Sequence, residues 1–478
     1  MERVTVLLIC ILAPLAGAFL MPLLGRLSAR VRNWCALAVV LVSLVCALLL
    51  VPDAVAGRTV TFAIGGPLGI SFSLLADGLA VFMAVVSSLV GALIMLFSFD
   101  YISHYDNQNE YYLMAVLFLG AMMGLVFSSS LIFLYVFWEI TGIASWRLIG
   151  FYRGRNDVVR ADKAFLVTAF GALVMLVGII AVYGQGGTFD MEALKGTVLP
   201  WGVSAMLLVG MLSKSATLPF HTWLPDAGVA PSPVTALLHA AVLVKIGVYV
   251  YARLFLSTFA LDAQLRLVVI VIAAASALVS AGAALVETDI KRIVAYSTVS
   301  QIAFIFLGLA TGNPLGAAGA LLYILMHGLA KAGLFLSAGI IEQNAHTKDI
   351  RQMGGLLKTI PVTAVAFLLC AFSVMGIPPL GGFFSKYMVI SSAIGGGQFA
   401  LGAVFLGGAV LTILYLFRLF SKVFLGESRS GPAATEGSWV MVGTVAALAA
   451  LSLAGGILVS WPAQLAQAAI LQMPGVAQ

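Results

Sequence analysis

The sequence predicts an all-α polytopic membrane protein that crosses a lipid bilayer about fourteen times, judged by the length of its apolar runs. Hydrophobic residues make up 62% of the 478 positions and charged residues only 9%, whereas soluble domains are about 25% charged. Apolar runs of the length needed to cross the hydrocarbon core recur along the whole chain. Because lipid offers the backbone no hydrogen-bond partners, we expect each run to be helical.

Glycine, proline and clusters of charge separate the apolar runs. The predicted spans are 4–25, 34–52, 76–98, 111–128, 130–150, 163–183, 202–218, 233–256, 266–286, 292–311, 315–340, 360–395, 400–422 and 437–460. The first run follows no basic segment and precedes no small-residue cleavage pattern, so we interpret it as a span and not as a cleaved signal. The four cysteines are scattered, with no CxxC pair, so we expect no metal or other cofactor in this chain.

Basic residues are concentrated in alternate loops. This set comprises Arg26, Arg30, Arg32, Arg153, Arg155, Arg160, Lys163, Lys291, Arg292, Lys348, Arg351, Lys358, Lys422 and Arg429. Because basic loops stay on the cytoplasmic side, we expect a bacterial inner-membrane protein with both termini on the periplasmic side. The net charge of +6 is thus a sign of topology, and we expect no nucleic-acid partner.

Two predicted spans contain strong helix breakers. The sequence at 218–225 is LPFHTWLP, and the sequence at 376–382 is GIPPLGG. Proline removes a helical hydrogen bond and clashes with the preceding turn. A broken helix at membrane depth is tolerated only where it is buried in protein or lines water. Similar breaks in the two halves are typical of inverted-repeat transporters with a site near the midplane of the membrane.

Several ionisable side chains lie well inside the predicted spans, where a charge costs about 2.5–3.5 kcal/mol on insertion scales. They are Glu139, Lys214, His239, Lys245, His327, Lys331 and Lys386. A single buried Glu–Lys pair can be purely structural. A set of four midspan lysines with one glutamate is much harder to explain in that way, so we interpret the set as functional.

The chemistry of these groups suits proton transport. A lysine removed from water is stabilised in its neutral form, and a nearby carboxylate restores its charged form. Forming and breaking a Glu–Lys pair would therefore switch the lysine between holding and releasing a proton. Since Glu139 is the only acidic residue well inside a predicted span, we pair it with Lys214 as a hypothesis.

Spacing relates the remaining groups to one another. His327 and Lys331 are four residues apart and share a helix face, where a histidine can relay protons near neutral pH. His239 and Lys245 are six residues apart, about 120° from each other around an ideal helix. A water molecule or a helix distortion would therefore have to link the second pair.

The segments that contain these residues resemble the antiporter-like subunits of respiratory complex I, the large subunits of Mrp-type antiporters and their relatives in membrane-bound hydrogenases. The most specific strings are KSATLPFHTWLPDA at 214–227 and TDIKRIVAYSTVSQ at 288–301, supported by LADGL at 75–79, FWE at 137–139 and GGFFSK at 381–386. The resemblance extends from about residue 70 to about residue 425.

The resemblance implies fourteen helices with two inverted five-helix repeats, each containing a broken helix. It divides the chain into N-terminal helices 1–3 at 1–110, a first repeat at 111–256, a second repeat at 266–424, and a last helix with a short tail at 425–478. The broken helices would lie at 202–228 and 360–395.

The resemblance also implies a role for each ionisable residue. Glu139 and Lys214 match the glutamate–lysine pair of the first half-channel, and His239 and Lys245 match the linking position on the next helix. His327 and Lys331 match the central element of the second half. Lys386 matches the terminal proton-releasing residue, and a lysine there is most similar to the large Mrp subunit and the longest complex I subunit. Tyr323 departs from the pattern, because some relatives have a second histidine there.

The leading functional expectation is a proton-translocating subunit of a redox-driven complex of the NADH-quinone oxidoreductase or membrane-bound hydrogenase type. The chain itself has no redox centre in this interpretation, so any oxidoreductase activity belongs to the assembly. One alternative is an Mrp-type Na⁺/H⁺ antiporter subunit, and another is the membrane component of an inorganic-carbon uptake system or an inactive scaffold. In the leading interpretation the partners are other membrane subunits, the lipid bilayer, protons and possibly Na⁺.

Overall fold

The computed structural model describes residues 2–66, 70–427 and 435–476. The basic residue Arg429 and part of the predicted segment 425–478 lie outside the described residues. The helices are α1 Glu2–Leu27, α2 Ala29–Val55, α3 Gly78–Tyr101, α4 Gln108–Phe127, α5 Leu131–Ile149, α6 Arg155–Gly186, α7 Trp201–Lys214, α8 Trp223–Asp226, α9 Ser232–Ala236, α10 Leu243–Tyr251, α11 Ala263–Val286, α12 Ile290–Ala310, α13 Pro314–Ala345, α14 Pro361–Met375, α15 Gly381–Gly395, α16 Phe399–Phe424, α17 Trp439–Ile457 and α18 Ser460–Leu471.

The described spans agree with the predicted ones. Within the described ranges, twelve helices are long and apolar enough to cross a membrane, and one of them, Ser232–Thr258, combines α9 and α10 with two π-helical segments. Two shorter apolar helices, α7 and α14, coincide with the predicted broken spans. The prediction of an all-α polytopic membrane protein is therefore confirmed, whereas the division into two repeats and the four segment boundaries stay predictions.

Short strands occur only between helices in the described part of the chain. The strands are β1 Val60–Ile64, β2 Phe72–Ala76, β3 Thr197–Val198 and β4 Phe259–Ala260. β1 and β2 form an antiparallel pair between α2 and α3, and β3 pairs with β4 in parallel. These pairs satisfy backbone groups at helix connections and leave the helical architecture unchanged.

Both predicted breaks are present, and each has a local cause. α7 ends at Lys214, after which Ala216 adopts a positive φ of 51° and Pro219 prevents the helix from continuing. α14 ends at Met375, where Gly376 takes φ of 84°, a conformation that glycine adopts without steric cost. Helical structure resumes at α8 after the first break and at α15 after the second, so each span is split into two shorter helices.

Burial separates a central group of helices from an outer group. The span Ser232–Thr258, α12 and α13 are almost wholly buried, whereas α1, α2, α6 and α16 are exposed over most of their length. The outward face of α6 contains large apolar side chains at helical spacing, namely Leu166, Phe170, Leu173, Val177 and Ile180. A continuous exposed apolar stripe of this kind suits contact with lipid. Protein therefore surrounds the central helices on all sides.

A buried ion pair near the start of α3 was not predicted from the sequence. The Arg253 guanidinium donates to both carboxylate oxygens of Asp77 at 2.5 and 2.7 Å, and both residues are at least 90% buried. Asp77 also caps α3 by accepting a hydrogen bond from the Ala80 amide at 2.9 Å. Arg253 donates a further bond to the Tyr249 hydroxyl at 3.1 Å. The pair thus joins the start of α3 to the span Ser232–Thr258.

Ion pairs also join the two halves of the chain where the basic loops lie. Asp226 of α8 accepts hydrogen bonds from Lys163 of α6 at 2.7 Å and from Arg292 of α12 at 2.6 Å. Arg292 donates in addition to Glu287 at 2.9 Å. Burial alone would raise the pKa of Glu287, but hydrogen bonds from the Arg292 guanidinium and from backbone amides bring that pKa below its usual range.

Candidate functional site

Six of the seven predicted site residues lie in the protein interior. Glu139 is partly exposed, and the remaining six are almost completely buried: Lys214, His239, Lys245, His327, Lys331 and Lys386. Ionisable groups inside a membrane protein are expected to face other protein groups or a water-filled space. Their helices, α5, α7, α10, α13 and α15 together with the π segment that contains His239, pack around the centre of the molecule.

Lys214 lies at the first break, in the last turn of α7. Its Nζ donates a hydrogen bond to the Trp138 carbonyl at 3.1 Å and lies 5.2 Å from the centroid of the Trp138 ring. The negative end of a helix dipole and an aromatic face both favour a cation. The Trp138 carbonyl and ring therefore stabilise this buried ammonium group without a direct ion pair.

Glu139 and Lys214 face each other across Gly142. A Cβ atom placed on Gly142 would lie 3.4 Å from the Lys214 Nζ and 3.8 Å from the Glu139 Oε2. Among the described residues, the two side chains form no ion pair within 4.0 Å. Glycine at this position leaves room for the two groups to approach, and their functional pairing stays a prediction.

The helix distortion that could link His239 with Lys245 is present. Residues Leu237–Ala241 form a π-helical turn, and the regular helix α10 starts only at Leu243. The Lys245 Nζ donates a hydrogen bond back to the Ala240 carbonyl inside this turn. π-Helical turns of this kind are frequent at functional sites. With this distortion both residues reach the neighbouring helix α13, each at a different position along it.

The side chains of His239 and Lys245 both pack against α13. A Cβ atom on Gly328 would lie 2.8 Å from the Lys245 Nζ, so the absence of a side chain lets this lysine approach α13 beside His327. The His239 ring packs on Phe335 of α13 with ring centroids 4.5 Å apart. The groups predicted for the first half therefore reach the central element predicted for the second half.

His327 is the centre of this arrangement. Lys245 reaches α13 at the neighbouring Gly328, and the Tyr323 ring, which Lys386 approaches to 5.7 Å, lies 5.8 Å from the His327 ring between centroids. Neither of its ring nitrogens has a hydrogen-bond partner among the described residues, and the same holds for His239. A buried imidazole without partners costs free energy unless water or a moving proton satisfies it. Each of the two histidines therefore has two ring nitrogens that are available to exchange a proton.

Lys331 is bonded on the opposite side to α12. Its Nζ donates to the Val294 carbonyl at 3.0 Å and to the Ser297 hydroxyl at 2.6 Å. The Tyr415 hydroxyl of α16 donates to the same Ser297 oxygen at 2.7 Å. The lysine is thus the first member of a hydrogen-bonded cluster that leads away from His327.

Gln301 continues the cluster one turn further along α12. Its Oε1 accepts a hydrogen bond from the Tyr323 hydroxyl at 2.6 Å. Its Nε2 lies 3.2 Å from the Thr412 hydroxyl and 3.5 Å from the Tyr415 hydroxyl. The sequence prediction omitted Ser297, Gln301 and Tyr415, although two polar residues four apart in the string AYSTVSQ were an available signal.

Lys386 lies just beyond the second break. Its Nζ donates to the Val374 carbonyl, in the last turn of α14, at 2.7 Å. The same Nζ is 4.6 Å from the centroid of the Phe304 ring and 5.7 Å from that of Tyr323. Lys214 and Lys386 therefore have similar surroundings. Each lies at a helix break, donates a hydrogen bond to a backbone carbonyl and has its ammonium group near an aromatic ring.

Comparison with known proteins identifies the family. Residues 128–412, which contain all the predicted site residues, match the family described as NADH:quinone oxidoreductase/Mrp antiporter, TM. Residues 62–112 match the N-terminus of chain 5 of NADH-ubiquinone oxidoreductase, complex I. The chain belongs to the complex I/Mrp antiporter family of membrane subunits. The resemblance stated from the sequence motifs is thus confirmed.

Curated members of this family match most of the chain. NAD(P)H-quinone oxidoreductase subunit 5 of Paulinella chromatophora is 34% identical over 77% of this chain and 58% of that protein. A Na(+)/H(+) antiporter subunit of Alkalihalophilus pseudofirmus is 33% identical over 88% of this chain and 57% of that protein. A Na(+)/H(+) antiporter subunit of Staphylococcus aureus is 31% identical over 94% of this chain and 60% of that protein. The chain spans less than two thirds of the length of these relatives.

Two solved structures share the fold of this family member. A chain of the Mrp complex from Dietzia sp. superposes with a TM-score of 0.91 at 24% identity, covering 99% of this chain and 98% of that one. A chain of an archaeal membrane-bound sulfane sulfur reductase superposes with a TM-score of 0.89 at 23% identity, with the same coverage. The common fold spans the whole described chain, including both broken helices.

Proposed function

We propose that this chain translocates protons across the inner membrane as the antiporter-like subunit of a redox-driven multisubunit complex. The observation that supports this most is the series of buried ionisable side chains that converges on the central helix α13 around His327. Keeping so many such groups out of water costs free energy, and residues of this kind inside membrane proteins typically mark ion or proton pathways.

In this proposal a proton enters from the cytoplasm near Lys214 and leaves near Lys386. Between them it passes along His239, Lys245, His327 and Lys331. Each lysine alternates between its neutral form, which burial favours, and its charged form, which a neighbouring carboxylate or carbonyl favours. A change of charge at one group shifts the equilibrium between the neutral and charged forms of the next group, because Coulombic interactions are strong in a poorly polarisable interior.

The driving reaction belongs to partner subunits in this proposal. The chain holds no cofactor, and other membrane subunits supply the electron transfer whose energy moves the protons. The alternating basic loops favour an orientation with both termini on the periplasmic side. The oxidoreductase or hydrogenase type of complex is the class of assembly that we propose.

Replacing Glu139 by glutamine tests the proposal. Loss of the carboxylate removes the group that favours the charged form of Lys214, so proton transport should fall by at least about tenfold while the complex still assembles. The measurement is proton uptake into inverted membrane vesicles, followed with a pH-sensitive dye. Glu110→Gln is the matched control, because Glu110 is also partly exposed and binds Arg147 and Arg153 outside the buried series. Unchanged transport in the Glu139 variant would contradict the proposal.

A second candidate function is Na⁺/H⁺ antiport. It is favoured by the relatives named as antiporter subunits, which match 88% and 94% of this chain. In this alternative the backbone carbonyls freed at the two breaks would coordinate Na⁺. Proton transport that requires Na⁺ on the opposite side of the vesicle membrane would support antiport, and transport at full rate without Na⁺ would support the redox-driven complex.

A further inference from the structure

A cluster of uncharged polar side chains lies between Lys331 and Lys386. Its members are Ser297 and Gln301 on α12, Tyr323 on α13, and Thr412 and Tyr415 on α16, and all are completely buried. Buried polar groups are stable only when they are hydrogen-bonded. Here the partners are mainly one another, so the cluster is a network and not a set of isolated groups.

The side of the network next to Lys331 can relay a proton. The Lys331 Nζ lies 2.6 Å from the Ser297 oxygen, which lies 2.7 Å from the Tyr415 oxygen. Because the Tyr415 hydroxyl donates to Ser297 in this arrangement, it has to turn before the relay runs. Lys331 then gives its proton to Ser297, Ser297 gives its own proton to Tyr415, and Tyr415 gives its own proton to a further acceptor, so that each oxygen keeps one proton. A hydroxyl can donate and accept at the same time, so this side is a competent relay.

The side of the network next to Lys386 has one hydroxyl. The Lys386 Nζ lies over the Tyr323 ring, 5.7 Å from its centroid. The Tyr323 hydroxyl donates to Gln301 at 2.6 Å. Among the described residues of the network, Tyr323 is thus the tyrosine whose ring the Lys386 ammonium group approaches, and a water molecule has to complete the transfer between its hydroxyl and that lysine.

The Gln301 amide separates the two sides. Its nitrogen is a donor only and its oxygen is an acceptor only. The nitrogen points to Tyr415 and Thr412, and the oxygen points to Tyr323. A proton that reaches Tyr415 therefore cannot be accepted by the amide nitrogen. With the amide in this position, the relay from Lys331 is interrupted.

We propose that Gln301 is a gate in the outward half of the proton path, with Ser297, Tyr415 and Tyr323 as the relay groups on its two sides. This inference rests on the proposed proton translocation and assigns its control to one side chain. The arrangement described here is the closed gate, in which Thr412 and the two tyrosines hold the amide. The gate opens when the amide turns away and water joins Tyr415 to Tyr323. Closure keeps protons from leaking between Lys331 and Lys386.

Replacing Gln301 by glutamate tests the gate. A carboxyl group of nearly the same shape both accepts and releases a proton, so the interruption disappears. In membrane vesicles containing the complete complex, with a K⁺ diffusion potential and no electron donor, passive proton influx should rise at least about tenfold. Gln472→Glu is the matched control, because Gln472 is a half-buried glutamine bonded to the Gly78 amide outside the network. Influx equal to that of the control overturns the gate.

Replacing Tyr323 or Tyr415 by phenylalanine tests the relay groups and does not depend on how the glutamate variant folds. Either change removes one hydroxyl and keeps the ring, so driven proton transport should fall at least about tenfold in assembled complexes. Tyr251→Phe is the control, because the Tyr251 hydroxyl is buried without a partner among the described residues. If Lys386→Met abolishes transport but neither phenylalanine variant lowers it, the relay is wrong and the proposed function stands. If Lys386→Met has no effect, the proposed function fails as well.

Discussion

Replacing Asp77 by alanine should destabilise the protein more than removing any surface carboxylate. The change leaves the Arg253 guanidinium, which is 4% exposed, without its charged partner. Breaking a buried pair in this way typically costs about 3–5 kcal/mol. Loss of the α3 cap to the Ala80 amide adds about 1 kcal/mol. Both losses concern the folded state, because the unfolded chain in detergent leaves the arginine free to reach water.

The measurement is the free energy of unfolding in mixed micelles, titrated with a denaturing detergent. Glu192→Ala is the control, because Glu192 pairs with Lys195, and their side chains are 42% and 43% exposed. Exposed pairs contribute only about 0–1 kcal/mol. A loss in Asp77→Ala no larger than in the control would refute the reasoning. Combining Asp77→Leu with Arg253→Met should recover much of the loss, because no unpaired buried charge then remains.

Two further predictions concern the second break and the ion pairs between the two halves. Gly382→Ala should lower the free energy of unfolding by about 1–3 kcal/mol or more, because its Cβ would overlap a backbone carbonyl of α14. Gly395→Ala, at a position with open space, should cost much less, and equal effects would contradict the packing argument. Glu287→Gln should make stability less sensitive to acid. The depressed pKa of Glu287 means that its contribution is present above the usual carboxyl range and is lost as pH falls through the folded value. The measurement is the free energy of unfolding at pH 7 and at pH 4. If the Arg292 pair contributed nothing, acidification would lower that free energy equally in the Glu287→Gln variant and in the unaltered protein.

The positions of the helices could be predicted because hydropathy and helix breakers act locally. Each predicted span has a counterpart, and the breaks at 218–225 and 376–382 follow from proline and glycine in the sequence itself. Charges within spans stand out in the sequence as well, since few ionisable residues occur inside apolar runs and each one needs a partner or water. This is why Lys214 and Lys386 were identifiable without a structure.

The hydrogen-bonded network could not be predicted, because it depends on which helices pack together. Tyr415 lies more than a hundred residues from Ser297 along the chain, and a tyrosine in an apolar span gives no signal of its own. Arg253 was missed because an arginine near the end of a span looks like one that reaches the membrane surface. Only the fold brings it to Asp77.

The helix distortion inferred from spacing is present, whereas the functional link between His239 and Lys245 and the pairing of Glu139 with Lys214 stay predictions. The six-residue separation of His239 and Lys245 required a helix distortion or water, and the π turn Leu237–Ala241 supplies the distortion. The pairing of Glu139 with Lys214 was inferred from residue type alone. Gly142 brings the two groups near each other without a direct ion pair, a detail that depends on side-chain positions and not on sequence spacing.

Proton transport by a Lys331→Met variant is the most direct test of the account. Lys331 connects the charges around His327 to the network that leads to Lys386, and methionine has a similar volume without an ionisable group. The account predicts that proton uptake into inverted vesicles falls by at least about tenfold, with the complex assembled at its normal level in the membrane. Uptake at the rate of the unaltered protein would contradict it.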